Sequence, residues 1–273
     1  MSLRIEGRAV VLGCEIDRVR MDEAVERCRQ AIEEGGFVQH MALNAAKIVA
    51  VRTDPRLKAV VSDSELVTAD GQSVVWASRL LRDPLPERVS GIDLMEELFT
   101  LAENRGYRVY LLGATHETLA RAMERLLERH PRLVFAGSHH GYFADQESPV
   151  LCDSIRAGQP DILFVAMSSP RKEFWLSEYG RDLGVPMIMG VGGALDVTAG
   201  DVRRAPARLQ AFGLEWAYRL LQEPRRLLRR YLVSNTRFIL LVAGELLRRG
   251  LRGAARRGPP GTPPSAPSHS ARP

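Results

Sequence analysis

Small polar residues, glycines and acidic side chains directly follow the short apolar runs of this 273-residue chain. The stretches concerned are "LNAAK", "TADGQS", "LLGATHE", "AMSSPRKE" and "GVGGALD". Together they offer backbone donors, hydroxyls and carboxylates, which is the chemistry that recognises a phosphorylated or sugar-bearing ligand. The candidate ligand-binding residues from these stretches are Asn44, Asp70, Gly113, Ser169, Lys172, Gly192, Gly193 and Asp196.

Motifs for other ligands are missing from the same stretches. "GVGGALD" lacks the full dinucleotide pattern, and no acidic residue follows "LLGATHE" at the spacing of about 20 residues that NAD binding requires. The chain has no phosphate-binding loop of the G-x-x-x-x-G-K-[ST] type. Asp70-Gly71 alone is also a common turn dipeptide, so that stretch leaves a structural role open. We expect no metal site and no cofactor.

These residues follow short apolar runs that alternate with helical patterns. "RVYLLG", "LVFAG", "ILFVAM" and "PMIMGVGG" read as fully buried strands, and "FVQHMALN" and "ELVTADG" as two earlier strands. Amphipathic helices such as "HETLARAMERLLERH" separate them. This alternation predicts an α/β fold, a Rossmann-like parallel sheet with helices on both faces. Ligands of such sheets bind at the carboxyl ends of the strands.

Positive charge is concentrated near the end of the chain. Residues 207–257 contain 12 arginines and 3 glutamates, a net charge of +9, whereas residues 1–206 contain 25 basic and 30 acidic residues. Apolar residues recur there at helical spacing, with arginines beside them, as in a helix that lies on an anionic bilayer. The apolar set is Leu228, Leu232, Ile239, Ala243 and Leu246, and the basic set is Arg225, Arg229, Arg248, Arg249 and Arg252. A solvated helix face is the alternative.

Three regions follow from these patterns. Residues 1–206 are predicted to be an α/β catalytic core, residues 207–257 a basic amphipathic appendage, and residues 258–273, rich in Pro, Ser and Gly, a disordered tail. The apolar runs are shorter than the roughly 20 residues that cross a bilayer, and the charged N-terminus does not resemble a signal peptide. We therefore expect a cytoplasmic protein with reduced cysteines.

Eight blocks of the sequence occur in a characteristic order. They are "LNAAKIVAVRTDPRL", "ADGQSVVWASRLL", "ERVSGIDLMEEL", "VYLLGA", "HGYF", "PDILFVAMSSPRKEFWL", "GVGGALDVTAGDVRRAP" and "GLEWAYRLLQEPRRLLRRYL". In these blocks the chain resembles the WecG/TagA/CpsF family of glycosyltransferases from Val10 to Phe238. The resemblance implies an inverting, metal-independent enzyme on the inner face of the cell membrane. It would move a sugar from a UDP-sugar to an undecaprenyl-diphosphate-linked saccharide in cell-surface polysaccharide synthesis.

Residue roles follow from the same resemblance. The family's proposed general base falls on Asp70, and the donor-binding positions fall on Asn44, Arg88 and Asp196. The C-terminal arginines, which would hold the diphosphate or the acceptor, fall on Arg219, Arg226 and Arg229. We expect the C-terminal segment both to dock on the membrane and to bring these arginines to the active site. Arginine suits both tasks because its planar group binds phosphate bidentately.

The chain departs from the family pattern at two positions. Relatives often carry Thr where this chain has Ala42, and Gln where it has Lys172. The second difference adds a cation to the predicted pocket, so the identity of the donor sugar stays open. The oligomeric state also stays open, with a homo-oligomer among the alternatives.

Two other functions compete with this interpretation. A nucleotide-sugar epimerase would share the crevice but would turn over the donor alone. A non-catalytic module that binds lipid or nucleic acid would depend only on the basic segment. Nucleic acid is the weaker partner, because aromatic residues are few and no recognition motif accompanies the arginines.

Overall fold

Six parallel strands form the central sheet of the computed structural model. The model describes residues 7–206, 208–209, 215–222 and 224–256, without the side chains of residues 219, 225–227, 229–231 and 250–256. The strands are β3 (Val38–Leu43), β4 (Leu66–Ala69), β5 (Arg108–Gly113), β6 (Val134–His139), β7 (Ile162–Ala166) and β8 (Met187–Gly190). Their spatial order is β4-β3-β8-β7-β5-β6. A separate antiparallel hairpin joins β1 (Arg8–Val11) to β2 (Cys14–Asp17).

Helices follow most of the strands. They are α1 (Met21–Glu33), α2 (Ala45–Val51), α3 (Pro55–Asp63), α4 (Gln72–Leu80), α5 (Gly91–Arg105), α6 (His116–Arg129), α7 (Ser148–Gly158), α8 (Arg171–Tyr179), α9 (Ala194–Thr198), α10 (Glu215–Gln222) and α11 (Pro224–Arg256). Short 3₁₀ turns lie at Asp145–Glu147 and Gly180–Leu183. The predicted Rossmann-like α/β fold is therefore confirmed.

Three apolar clusters cover the two faces of the sheet. One cluster joins α1, α5, α6 and α9 to one face. The other two lie on the opposite face, one with α2, α3, α4 and α11 and one with α7 and α8. A strand covered on both sides must be apolar throughout, and every residue of β7, "ILFVA", is indeed buried.

One predicted strand differs from expectation. "LVFAG" was expected to be fully buried, but β6 lies at the edge of the sheet and all of its residues are at least partly exposed. An apolar run therefore predicted the strand correctly but not its place in the sheet order, which depends on contacts between distant segments.

Helices leave the carboxyl ends of neighbouring strands toward opposite faces. The helices after β3, β4 and β7 pack on one face, whereas those after β5 and β8 pack on the other. A crevice opens where neighbouring connections diverge in this way. In this chain neighbouring connections diverge at the carboxyl ends of β3, β8, β7, β5 and β6, which form the edge that the sequence predicts to bind the ligand.

The C-terminal helix α11 packs on the core through one of its faces. Phe238 and Val242 are buried in the cluster that includes α2, and Arg249 donates to the carbonyl of Leu81 at the end of α4. Among the described helices, none combines the length and apolarity needed to cross a bilayer. The predicted disordered tail lies outside the described residues.

Candidate active site

Asp70 stands directly after β4 at the carboxyl edge of the sheet. Its backbone N–H donates to the carbonyl of Leu43 at 2.9 Å, which extends the β3–β4 pairing by one residue. Its Oδ1 accepts the Gly91 N–H at 2.9 Å, at the first residue of α5. The positive end of a helix dipole stabilises a carboxylate in this position. The half-buried side chain is therefore fixed through one oxygen.

Asn44 lies beside this loop at the start of α2. Its Oδ1 accepts the Lys47 N–H at 3.0 Å and so caps the helix. A Cβ on Gly71 would lie 3.6 Å from the Asn44 Cβ, so the loops after β3 and β4 touch here. Because the cap occupies the side-chain oxygen, the amide NH₂ is the part of Asn44 that a ligand could use.

A buried network of polar side chains supports the segment from Val89 to Gly91. The Thr68 hydroxyl donates to the Val89 carbonyl at 3.2 Å and lies 2.9 Å from the His40 Nε2. Burial, together with the charge of Lys47, lowers the pKa of His40 to about 3, so the imidazole is neutral. We infer that its Nε2–H donates to the Thr68 oxygen. Neither residue was predicted from the sequence, because each lies inside an ordinary strand pattern.

Arg88 lies three residues before Gly91, within a cluster of four charges. Its Nη1 is 2.6 Å from a Glu215 carboxylate oxygen and its Nη2 is 3.5 Å from Asp93. Arg204 pairs with the same two carboxylates. Arg88 is therefore held by acidic partners on α5 and α10, and its predicted contact with the donor would require sharing or releasing them.

The same cluster anchors α10 next to the candidate site. Glu215 begins this helix, and Gln222 ends it with two hydrogen bonds to the backbone of Arg203, at 3.1 and 2.9 Å. Arg219 lies between these two fixed ends, one turn beyond Glu215. Its side chain and those of Arg226 and Arg229 lie outside the described part of the structure.

Lys172 belongs to a buried cluster with Glu173 and Lys47. The Lys47 and Lys172 ammonium groups lie 2.8 and 3.1 Å from the same Glu173 oxygen. Both lysines therefore form ion pairs with this carboxylate. Burial alone would raise the pKa of Glu173, but the two ammonium groups outweigh that effect and lower it to about 2. Glu173 is therefore a carboxylate inside the protein.

The remaining predicted residues are spread along the same edge. Gly192 lies near Lys172, since a Cβ there would be 3.7 Å from the ammonium nitrogen. Gly193 is exposed just before α9, which contains Asp196. Ser169 is exposed in the loop after β7.

Gly113 has a clear packing role. A Cβ there would lie 2.4 Å from the Ala166 backbone, so this glycine lets β5 and β7 approach closely.

The structure thus forms two groups from the predicted residues. The loops that carry Asn44 and Asp70 touch at the ends of β3 and β4, and the Lys172 ammonium group lies near Gly192 at the end of β8. Sequence reasoning missed most of the residues that hold these groups in place: His40, Lys47, Thr68, Asp93 and Glu215. For Lys47 a signal existed, because it lies in the first turn of α2 next to Asn44. Glu173 belongs to the strand-end stretch "AMSSPRKE" and lies in the first turn of α8.

The chain is similar to a known protein family and to named proteins over most of its length. A family model described as "Glycosyl transferase WecG/TagA/CpsF family" matches residues 9–252. A Bacillus spizizenii protein is 38% identical over 173 residues, which cover 63% of this chain and 66% of that protein. A Staphylococcus aureus protein (strain MW2) is 33% identical over 219 residues, which cover 80% of this chain and 85% of that protein. Both are named N-acetylglucosaminyldiphosphoundecaprenol N-acetyl-beta-D-mannosaminyltransferase.

Proposed function

The chain belongs to the WecG/TagA/CpsF family of glycosyltransferases, and we propose that it is an inverting, metal-independent enzyme with Asp70 as its general base. It would transfer a sugar from a UDP-sugar to a saccharide linked to undecaprenyl diphosphate, in the synthesis of a cell-surface polysaccharide. The observation that carries this proposal is the position of Asp70, a carboxylate fixed at the ligand-binding edge of the sheet.

Inverting transfer needs a base on the side of the sugar opposite the leaving group. The acceptor hydroxyl attacks the anomeric carbon, its proton passes to the base, and the bond to the UDP oxygen breaks. Gly91 holds only the Oδ1 of Asp70, and within the described residues no donor is bonded to Oδ2. That oxygen is therefore positioned to accept the acceptor's proton.

The leaving diphosphate also requires positive charge. Lys172 supports this role from its place beside Gly192 at the end of β8. We propose that Arg219, Arg226 and Arg229 complete the diphosphate and acceptor site, with α10 held in place by the Arg88–Glu215 pair. Arginines suit the developing negative charge because they bind two phosphate oxygens at once and stay charged.

The names of the relatives indicate which substrates to test first. We propose UDP-N-acetylmannosamine as the first donor and N-acetylglucosaminyl-diphospho-undecaprenol as the first acceptor, since the two relatives described above are named for this transfer. Asn44, Arg88, Gly192, Gly193 and Asp196 would contribute to the donor pocket.

Helix α11 supports a peripheral attachment to the membrane. The face opposite its packed residues is apolar and exposed; it includes Leu228, Leu232, Ile239, Leu240, Leu246 and Leu247. The exposed Arg237 and Arg248 lie beside this face. We propose that this face lies on the anionic inner surface of the membrane, where each arginine adds on the order of 1 kcal/mol. The lipid-linked acceptor would then reach the active site from the same membrane.

The decisive experiment replaces Asp70. In Asp70→Asn, transfer to the lipid-linked acceptor is expected to fall by roughly two orders of magnitude or more, because no base remains. UDP binding, measured by calorimetry, and liposome binding should persist. Asp63→Asn, which makes the same change at an exposed position, is the matched control. Retention of full transfer by Asp70→Asn would refute the catalytic role, and turnover of the donor without acceptor would favour an epimerase.

A second experiment tests membrane attachment. The triple substitution of Leu232, Ile239 and Leu240 by Ser should release the protein from anionic liposomes in a flotation assay without unfolding it, since all three are exposed. The matched control replaces Leu127, Val134 and Val150, exposed apolar residues on other elements. Equal liposome binding by both triple variants would exclude α11 as the docking surface.

A further inference from the structure

Glu173 is the most deeply buried charged residue at the carboxyl edge. Its side chain is 0% exposed, and those of Lys47 and Lys172 are 11% and 8% exposed. The three residues come from two helices on the same face of the sheet, α2 and α8. A carboxylate is costly to bury unless cations compensate it, so its presence here needs a physical explanation.

The shape of the neighbouring strand fixes where Lys172 lies. A Cβ on Gly190 would be 2.9 Å from the Lys172 Cε and 3.1 Å from its Cδ, so the lysine stem lies directly on this glycine. Its ammonium group then sits near Gly192, in the loop that follows β8. The backbone N–H of Lys172 also donates to the Ser168 carbonyl at 3.0 Å, which ties the lysine to the loop after β7.

A free lysine side chain would not stay in this place. It has four rotatable bonds and loses about 2 kcal/mol of rotamer entropy when it is held in one conformation. The Glu173 carboxylate lies 3.1 Å from the ammonium group and provides the attraction that opposes this loss. Lys47 pairs with the same oxygen and helps to keep Glu173 ionised. Its backbone N–H is the group that the Asn44 side chain caps at the start of α2.

We propose that Glu173, with Lys47, is a positioning residue that holds the Lys172 ammonium group at the Gly190–Gly192 loop to receive the diphosphate of the donor. This inference rests on the proposed function, because it takes the carboxyl edge to be the donor site. Glu173 itself would not touch the donor, since it is wholly buried. Its effect on binding would pass through Lys172 alone.

A double-mutant cycle with UDP as the probe tests this coupling. The dissociation constant is measured by calorimetry for the wild type, Lys172→Gln, Glu173→Gln and the double variant. Lys172→Gln and Glu173→Gln should each weaken UDP binding by about tenfold, the usual effect of losing one charge-assisted contact. The double variant should bind no more weakly than Lys172→Gln. An equal loss from Glu173→Gln in both backgrounds would overturn the proposal, because a merely structural role does not depend on Lys172.

A gentler variant keeps the test valid if Glu173→Gln does not fold. Glu173→Asp retains the charge but withdraws it by one methylene, so it should weaken UDP binding a few-fold in the wild type and not in Lys172→Gln. Glu178→Gln, an exposed glutamate of the same helix, is the matched control and should leave UDP binding unchanged. Unaltered UDP binding by a folded Glu173→Asp would also contradict the proposal.

The outcomes separate this inference from the proposed function. Failure of the wild type to bind UDP would remove the donor site and with it both proposals. Normal UDP binding by the wild type, together with unaltered binding by both Glu173 variants, would remove only the positioning role.

Discussion

The two ends of the parallel sheet both contain acidic residues, but they use them differently. At the amino end, Asp17 is fully buried and accepts the Val67 N–H at 2.7 Å and two contacts from Arg8 at 3.1 and 3.3 Å, with Arg27 3.7 Å away. At the carboxyl end, Asp70 is half-buried and accepts one hydrogen bond within the described residues. Both oxygens of Asp17 are therefore bonded to the protein, whereas Asp70 is held through Oδ1 alone within the described residues.

Structural and functional carboxylates differ in how many of their oxygens are bonded to the protein. A buried carboxylate whose oxygens are all occupied fastens segments together, as Asp17 does for the hairpin, α1 and β4. A carboxylate held through one oxygen is fixed in position, and its second oxygen can still bind a ligand or a proton. Glu173 lies between the two cases, because it is buried like Asp17 but pairs with a lysine that borders the crevice.

The largest expected effect is on the amino end. Asp17→Asn should lower the free energy of unfolding by about 3 to 5 kcal/mol, because it leaves two arginines near the interior without their carboxylate. Urea denaturation measures the loss, and UDP binding by the folded fraction should not change. Asp22→Asn, at an exposed position on α1, is the control. A loss below about 1 kcal/mol would mean that the amino end is not held by this charge.

The sequence predicted the fold from its apolar runs. The strand predicted from "RVYLLG" coincides with β5, and "ILFVAM" differs from β7 by one residue. Because parallel strands align their carboxyl ends, the same pattern predicts that Asn44 and Asp70 lie at one edge of the sheet. Local periodicity therefore sufficed for the elements and for the edge that holds the site.

The charged networks could not be predicted in this way. Asp17 meets Val67 across 50 positions in the sequence, and Arg88 meets Glu215 across 127. The local sequence around a charged residue does not indicate which distant residue will pair with it. The exposed edge position of β6 depends on such long-range packing too.

An intermediate effect is expected just beneath the carboxyl end. Thr68→Val keeps the side-chain volume but leaves the buried His40 Nε2 and the Val89 carbonyl without the hydroxyl, which should cost about 1 to 3 kcal/mol of stability. Sugar transfer should slow a few-fold, because the segment from Val89 to Gly91, which holds Asp70, loses a hydrogen bond. Urea denaturation and the transfer assay provide the two readouts. Thr100→Val on the exposed side of α5 is the control, and equal losses in both variants would contradict the supporting role.

The smallest effect on stability is expected where the effect on catalysis is greatest. Asp70→Asn retains an oxygen that can accept the Gly91 N–H and loses only the interaction of a charge with the start of α5, which is worth less than about 1 kcal/mol at a partly exposed site. Its urea midpoint should therefore stay close to that of the wild type. If Asp70→Asn instead loses as much stability as Asp17→Asn, then Asp70 fastens the fold as Asp17 does. The two ends of the sheet would then no longer differ in whether their carboxylate is structural or functional.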